Sequence, residues 1–263
     1  MVCHLVACAL PGQRPLSSDE AARWLLRRLR HGWPRALAAC LMPSHFHLLC
    51  EVAEPRVERI RLSRVVAAFS RRFGARRIWD RVPEPSRVPD RKYLQRTVRY
   101  VLLNPCRSRL VDDPLCWRFS TLRGSIGAEH DPWVPASRLA AELGRAGNFE
   151  RWLHAYVSRD PDAALRARSF PSPAIACDVP RIPLADILAA ALAATPWSSV
   201  SVRRHAFVLL ALAQGWRDTA LLAEASGLGR SQIYRLSRQP DAPLLAAAAL
   251  CLGDPRLRDV PRR

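Results

Sequence analysis

Residues 36–52 read Ala-Leu-Ala-Ala-Cys-Leu-Met-Pro-Ser-His-Phe-His-Leu-Leu-Cys-Glu-Val. An apolar run from Ala36 to Met42 and a second from His45 to Val52 flank Pro43-Ser44. Proline and serine favour turns, and apolar runs of this length suit strands. The stretch therefore predicts two strands joined by a tight turn. On a strand, residues two apart point to the same face. His45 and His47 then project together, while Phe46 points into the opposite layer. Two imidazoles on one rigid face make half a site for a divalent metal. Taken alone, His-x-His is a weak signal, because a strand can equally carry two hydrogen-bonded or half-exposed histidines.

Upstream, Val2 to Leu10 is apolar and β-compatible, and Pro11-Gly12 ends it. It has no basic head, so it reads as a first strand and not as a signal peptide. Ser17 or Ser18 caps a helix to about Arg30, with Ala22, Leu25, Leu26 and Leu29 as its apolar face. Downstream, a second helix spans about Arg56 to Phe73 and ends at Gly74. One side of it is apolar; the other carries Arg56, Arg59, Arg64, Arg71 and Arg72. A short strand at Ile78-Trp79 and a turn with Pro83, Pro85 and Pro89 follow. Asp90 is the N-cap of a third helix, predicted to stop at Asn104 because Pro105 follows. The order β-α-β-β-α-β-α predicts an α+β fold, a small antiparallel sheet backed by helices.

The third helix places Leu94, Val98, Val101 and Leu102 on a core stripe. Tyr100 and Asn104, four apart, share another face. A tyrosine hydroxyl is a sound nucleophile on phosphorus, because it leaves a phosphoester that a 3′-hydroxyl can later attack. Asn104 offers a carbonyl oxygen to a hard metal. Spacing alone also allows Tyr100 to pack in the core with its hydroxyl at the rim.

The first unit closes near Gly127. Residues 128–180, rich in Pro, Asp and Arg, are expected to be a linker or loosely packed extension with a helical patch at Phe149 to Val157. Residues 181–263 read as an all-α region. Within it, Arg204 to Ala213, Thr219 to Ala225 and Gly229 or Arg230 to Arg238 have the size and order of a helix-turn-helix. Arg230, Gln232 and Arg235 are then free to meet DNA. A plain helical bundle stays open as the alternative.

The sequence holds 41 Lys plus Arg against 23 Asp plus Glu, a net charge of +18, and Lys92 is its one lysine. Such an excess points to a polyanion, nucleic acid before a membrane surface. Arginine suits phosphate because its planar fork binds two oxygens at once. Arg64, Arg71 and Arg72 of the second helix are candidates to track a DNA backbone; a solvated helix face is their alternative. No apolar run is long enough to span a bilayer. Eight cysteines lie mostly in apolar runs with no C-x-x-C pair, which disfavours a zinc ribbon and suits a reducing cytoplasm.

Several motifs now stand in order. Met-Pro-Ser-His-Phe-His-Leu-Leu (42–49) resembles the M-P-N-H-x-H-L-L signature of the HUH-type single-tyrosine transposases, and among them is most similar to the REP-associated tyrosine transposases. Arg99 to Arg107 resembles that group's R-Y-I-x-x-N-P-V-R block. Ile78-Trp79-Asp80-Arg81 resembles its W-x-x-R segment, and Trp117 to Thr121 its W-x-x-S-S/T segment. Cys3-His4-Leu5-Val6 is similar to its opening strand. The resemblance covers residues 1 to about 127. It implies a ferredoxin-like HUH endonuclease palm and Mg²⁺ or Mn²⁺ held by His45 and His47, with Asn104 as third ligand. It further implies Tyr100 as nucleophile, single-stranded hairpin DNA as substrate, either a monomer or a homodimer, and a place at the nucleoid. Ser44, Cys106 and Ser108 depart from the family's Asn, Val and Ala; none removes a catalytic group.

The expected function is thus a transposase-type nuclease that cuts and rejoins single-stranded DNA through a 5′-phosphotyrosine. The alternative is a DNA-binding regulator, using the C-terminal helix-turn-helix, whose nuclease half is vestigial.

Overall fold

The computed structural model describes residues 1–74, 77–158 and 182–258. The chain divides into two compact units, residues 1–125 with 133–159, and residues 126–132 with 160–263.

The first unit is α+β. Its strands are β1 (Val2–Cys8), β2 (Ala36–Met42), β3 (His45–Glu51) and β4 (Ser86–Arg87), in the sheet order β2-β3-β1-β4. Every neighbouring pair is antiparallel, the ferredoxin-like arrangement. Helix α1 (Asp19–Gly32) connects β1 to β2, and α2 (Pro55–Phe73) follows β3. Ser18 caps α1 by accepting from the Ala21 N–H. Both helices cover the sheet face that carries Phe46: Trp24 of α1 meets Phe69 of α2, and Phe69 and Phe46 both meet Trp79. Helix α3 (Arg91–Arg107) lies against β2 and β3. Covered on both faces, β2 is buried along its whole length. Its outer edge is closed by residues 119–121, where the Leu41 N–H donates to the Phe119 carbonyl and the Thr121 N–H to that of Ala39.

Two local expectations are corrected, while Gly74 ends α2 as expected. Ile78-Trp79 forms only a single bridge, Ala9 to Trp79. The fourth strand is Ser86–Arg87, kept to two residues between Pro85 and Pro89, which cannot donate to a ladder. Helix α3 continues past Asn104 to Arg107 with Pro105 inside it; the proline gives up its own N–H bond but the helix runs only two residues further, so little helix lies beyond the defect. Gly74 ends α2 in an extended conformation, φ −157°. A Cβ there would sit 2.5 Å from Ile78 Cδ1, the movable end of that side chain, and the backbone is not left-handed, so Ile78 would have to shift to admit a side chain.

Beyond the short helix α4 (Leu122–Ser125), α5 (Ala136–Leu143) and α6 (Phe149–Val157) pack on α3. The reading of 128–180 as linker or loose extension is therefore corrected for residues 133–158. Leu139, Leu143, Phe149, Leu153 and Val157 form buried faces among the polar residues. Residues 159–180 of that expected extension lie outside the described residues.

The second unit is helical. Its α7 (Leu184–Ala194), α8 (Val200–Ala213) and α11 (Ala242–Gly253) pack on one another, their many alanines allowing close approach. Between them, α9 (Thr219–Ser226) and α10 (Arg230–Arg238) pack together and on α8. Gly227, φ +67°, makes the left-handed turn that ends α9, and Ile233 is the buried residue of α10.

Candidate active site

The register of β1 on β3 decides which side chains meet. Val6 stands opposite His47, and His4 opposite Leu49. His4, His45 and His47 therefore share one face of the sheet, the face turned away from Phe46. Tyr100 of α3 closes over them. Its ring centre lies 5.4 Å from that of His47 and 6.4 Å from that of His4, edge-on to both. The rings of His45 and His47 are 5.0 Å apart. Burial of Leu94, Val98, Val101 and Leu102 fixes the rotation of α3 and leaves Tyr100 at the rim, 40% exposed. Asp90 caps the helix by accepting from the Tyr93 N–H at 2.7 Å.

His4 Nε2 lies 3.0 Å from His47 Nδ1. One of these two nitrogens carries the proton and the other accepts it. The remaining nitrogen of His47, Nε2, is buried and has no partner among the described residues. Ser44 Oγ lies 3.2 Å from His45 Nδ1, so Nε2 is the nitrogen of His45 outside that contact. Burial lowers the pKa of all three imidazoles. For His47 desolvation comes first and repulsion from His4 and His45 second, and together they bring it down to about 3. Neutral imidazole is the form that ligates metals.

These donors suit a divalent cation. An orphaned, neutral, buried imidazole nitrogen is a group that a metal would satisfy. Asn104, one turn beyond Tyr100, is 7% exposed, and its Nδ2 is buried without a partner among the described residues. Among those residues no three His, Cys, Asp or Glu donors converge on one point, His4 being turned to His47. A cation here would rest on His45 and His47.

The structure does not bring Arg64, Arg71 and Arg72 to this site. They sit on α2, on the Phe46 side of the sheet, and Arg72 bonds Glu20 at 3.3 Å. Arg107 is there instead, its guanidinium carbon 5.0 Å from the centre of the Tyr100 ring. Its place seven residues after Tyr100, two turns along one helix face, was the available signal. His4 was also missed as a site residue; it alternates with Cys3 and Leu5, and only the β1–β3 register reveals its neighbour. In the second unit, Arg230 and Arg235 are exposed on α10. Gln232 is corrected: its Oε1 accepts from the Gly229 N–H at 3.2 Å, so it caps the helix and is not free.

No protein-family profile and no curated protein matches the chain. Among solved structures, a REP-associated tyrosine transposase bound to a REP hairpin is similar at a TM-score of 0.40 and 18% identity, over 46% of this chain and 75% of that one. Among the described residues no helix is long and apolar enough to cross a membrane.

Proposed function

We propose that the protein is a metal-dependent nuclease that cuts and rejoins single-stranded DNA through Tyr100, in the manner of the transposases its motifs resemble. The observation that carries the reading is the meeting of Tyr100 with His47, 5.4 Å between ring centres, where His47 keeps a buried, unpartnered Nε2. A lone tyrosine at a rim, or a lone histidine pair, would be unremarkable; a nucleophile beside two neutral metal donors is a phosphoryl-transfer site in outline.

His45 and His47, with Asn104, would hold Mg²⁺ or Mn²⁺. Bound there, a divalent cation would polarise a non-bridging oxygen of the scissile phosphate. Tyr100 Oη attacks that phosphorus in line. The new bond is Oη–P, the bond to the 3′-oxygen breaks, and the phenolic proton is lost as the 3′-hydroxyl gains one. The phosphotyrosine keeps the ester, so a 3′-hydroxyl can reverse the step without ATP. Arg107 places positive charge over the Tyr100 ring, where it would stabilise the charged phosphoryl group.

The test is incubation of the protein with labelled single-stranded hairpin DNA from the flanks of its own gene, with Mg²⁺ or Mn²⁺, beside Tyr100→Phe. A denaturation-resistant adduct that disappears in the variant is expected. Binding by both proteins with no adduct under either metal would overturn the enzyme reading. It would favour instead a DNA-binding regulator, a second reading that rests on the exposed Arg230, Arg235 and Tyr234 of α10 behind the Gly227 turn.

A further inference from the structure

Helix α3 carries Arg91, Lys92, Arg96, Arg99 and Arg107 and no Asp or Glu. Asp90 caps this helix and Arg107 suits its last turn, but Arg91 and Lys92 in the first turn work against it. Cations in a first turn oppose the positive end of the helix dipole, and α1 follows the ordinary rule with Asp19 and Glu20 there. Local rules are broken where a site requires it.

The cations sort onto two ridges, each spaced by four residues. Arg91, Gln95 and Arg99 face α5 and α6. The Arg91 guanidinium packs on Gly144, Gln95 Nε2 donates to the Leu143 carbonyl at 3.1 Å, and Arg99 Nε donates to that of Tyr156 at 2.7 Å. Lys92, Arg96 and Tyr100 form the other ridge, and all three are exposed. Four residues, about 6 Å of rise, separate each from the next. Among the described residues neither Lys92 nor Arg96 has an ion-pair partner. On α2, Arg59 pairs with Glu84, Arg61 with Glu58 and Arg72 with Glu20; Arg64 and Arg71 have no ion-pair partner among the described residues either, so what sets the α3 ridge apart is its alignment with Tyr100.

Beside this ridge stands an aromatic stack. Trp152 and Tyr156 lie face to face, 4.9 Å apart at 11°. Arg145 sits 4.5 Å from the centre of the Trp152 ring and Arg99 5.7 Å from that of Tyr156. Guanidinium groups held on aromatic faces lose little further entropy on meeting a phosphate or a base.

We infer that single-stranded DNA reaches Tyr100 along the Lys92–Arg96 ridge of α3, with its backbone on those two cations and the Arg99–Tyr156–Trp152–Arg145 stack at its flank. This surface deepens the proposed function and rests on Tyr100 as the residue that meets DNA. Charge complementarity selects a polyanion. Cations in line with a nucleophile suit a phosphate backbone, and arginine interleaved with aromatic groups is the usual means of gripping a single strand.

The test measures affinity of the full chain for fluorescent single-stranded DNA in EDTA, so that neither metal nor cleavage enters, across a salt series. The variants are Lys92→Gln/Arg96→Gln, the charge-keeping Lys92→Arg/Arg96→Lys, and Arg64→Gln/Arg71→Gln on α2. Loss of two phosphate contacts lowers the slope of log affinity against log salt by about 1.4, which is roughly tenfold in affinity at physiological salt. That loss is expected for the first variant alone, with the second near wild type. Equal losses on α2 and α3, unchanged binding by the first variant, or no binding by wild type would each overturn the inference. Covalent-adduct formation is scored separately with metal present. A first variant that binds normally while wild type still forms the Tyr100 adduct sinks this surface and leaves the proposed function standing.

Discussion

His4 Nε2 and His47 Nδ1 lie 3.0 Å apart across the β1–β3 pairing. The contact holds a single proton, and its position sets what His47 can do. With the proton on His4, His47 must carry its own on Nε2, and that nitrogen cannot ligate. With the proton on His47 Nδ1, Nε2 keeps its lone pair, as ligation by His47 requires. Outer partners of this kind typically matter 10–100-fold in metal affinity. His4→Ala is therefore expected to weaken Mn²⁺ binding by roughly that factor, measured by titration calorimetry without DNA. Affinity equal to wild type would remove His4 from the site.

Acid should destabilise the first unit before its carboxylates matter. His47 is held down to about 3 in the folded chain, against an ordinary value near 6.5. Above both values it is neutral folded and unfolded and contributes no pH dependence. Between them the unfolded chain binds a proton that the folded chain refuses, so stability falls as pH drops from about 6.5 and levels off below about 3. His4 and His45 are lowered too and act with the same sign. Urea denaturation at pH 7 and pH 5 should show a loss that is smaller in His47→Asn than in wild type. The same loss in both would mean that His47 does not carry it.

Phe46 stands between the two histidines of β3 but faces the other layer, where it is fully buried against Trp79. Phe46→Ala should cost about 3–5 kcal/mol, the usual penalty for emptying an aromatic core position. Chemical denaturation gives the number. A cost below 1 kcal/mol would mean that the α1–α2 layer does not rest on this ring.

What was legible depends on the range over which each signal acts. His45 and His47 share a face because of strand pleat, and the α3 core stripe leaves Tyr100 outside it because of helix pitch. Both rules operate within a few residues, so the sequence displays them. His4 is adjacent to His47 only through strand register, which the chain writes nowhere locally. The arginines of α2 form a clear amphipathic face, yet periodicity does not say which side of a sheet a helix covers. Here Phe69 and Trp79 place α2 over Phe46, away from Tyr100. Helix α6 was visible as a helical patch, but α5 and the packing of both helices were hidden because five buried apolar residues are scattered among Pro, Asp and Arg, which dominate a reading by composition. Gln232 looked free because only the backbone geometry at Gly229 shows its amide oxygen committed to a cap.

The turn between α9 and α10 makes a prediction confined to the second unit. Gly227 holds φ +67°, where an L-residue is strained by roughly 1–2 kcal/mol. A Cβ added there would meet the Arg204 guanidinium at 3.3 Å, the mobile end of a long side chain that can withdraw. Strain from the backbone, and not a clash, should therefore dominate Gly227→Ala. Faster hydrogen exchange is expected in the amides of α9 and α10, while Mn²⁺ binding by the first unit is unchanged. Gly227→Asn should recover part of the loss, since asparagine tolerates the left-handed region better than alanine. If alanine and asparagine behave alike, the left-handed backbone is not what the glycine supplies, and its contact with Arg204 becomes the reason for it.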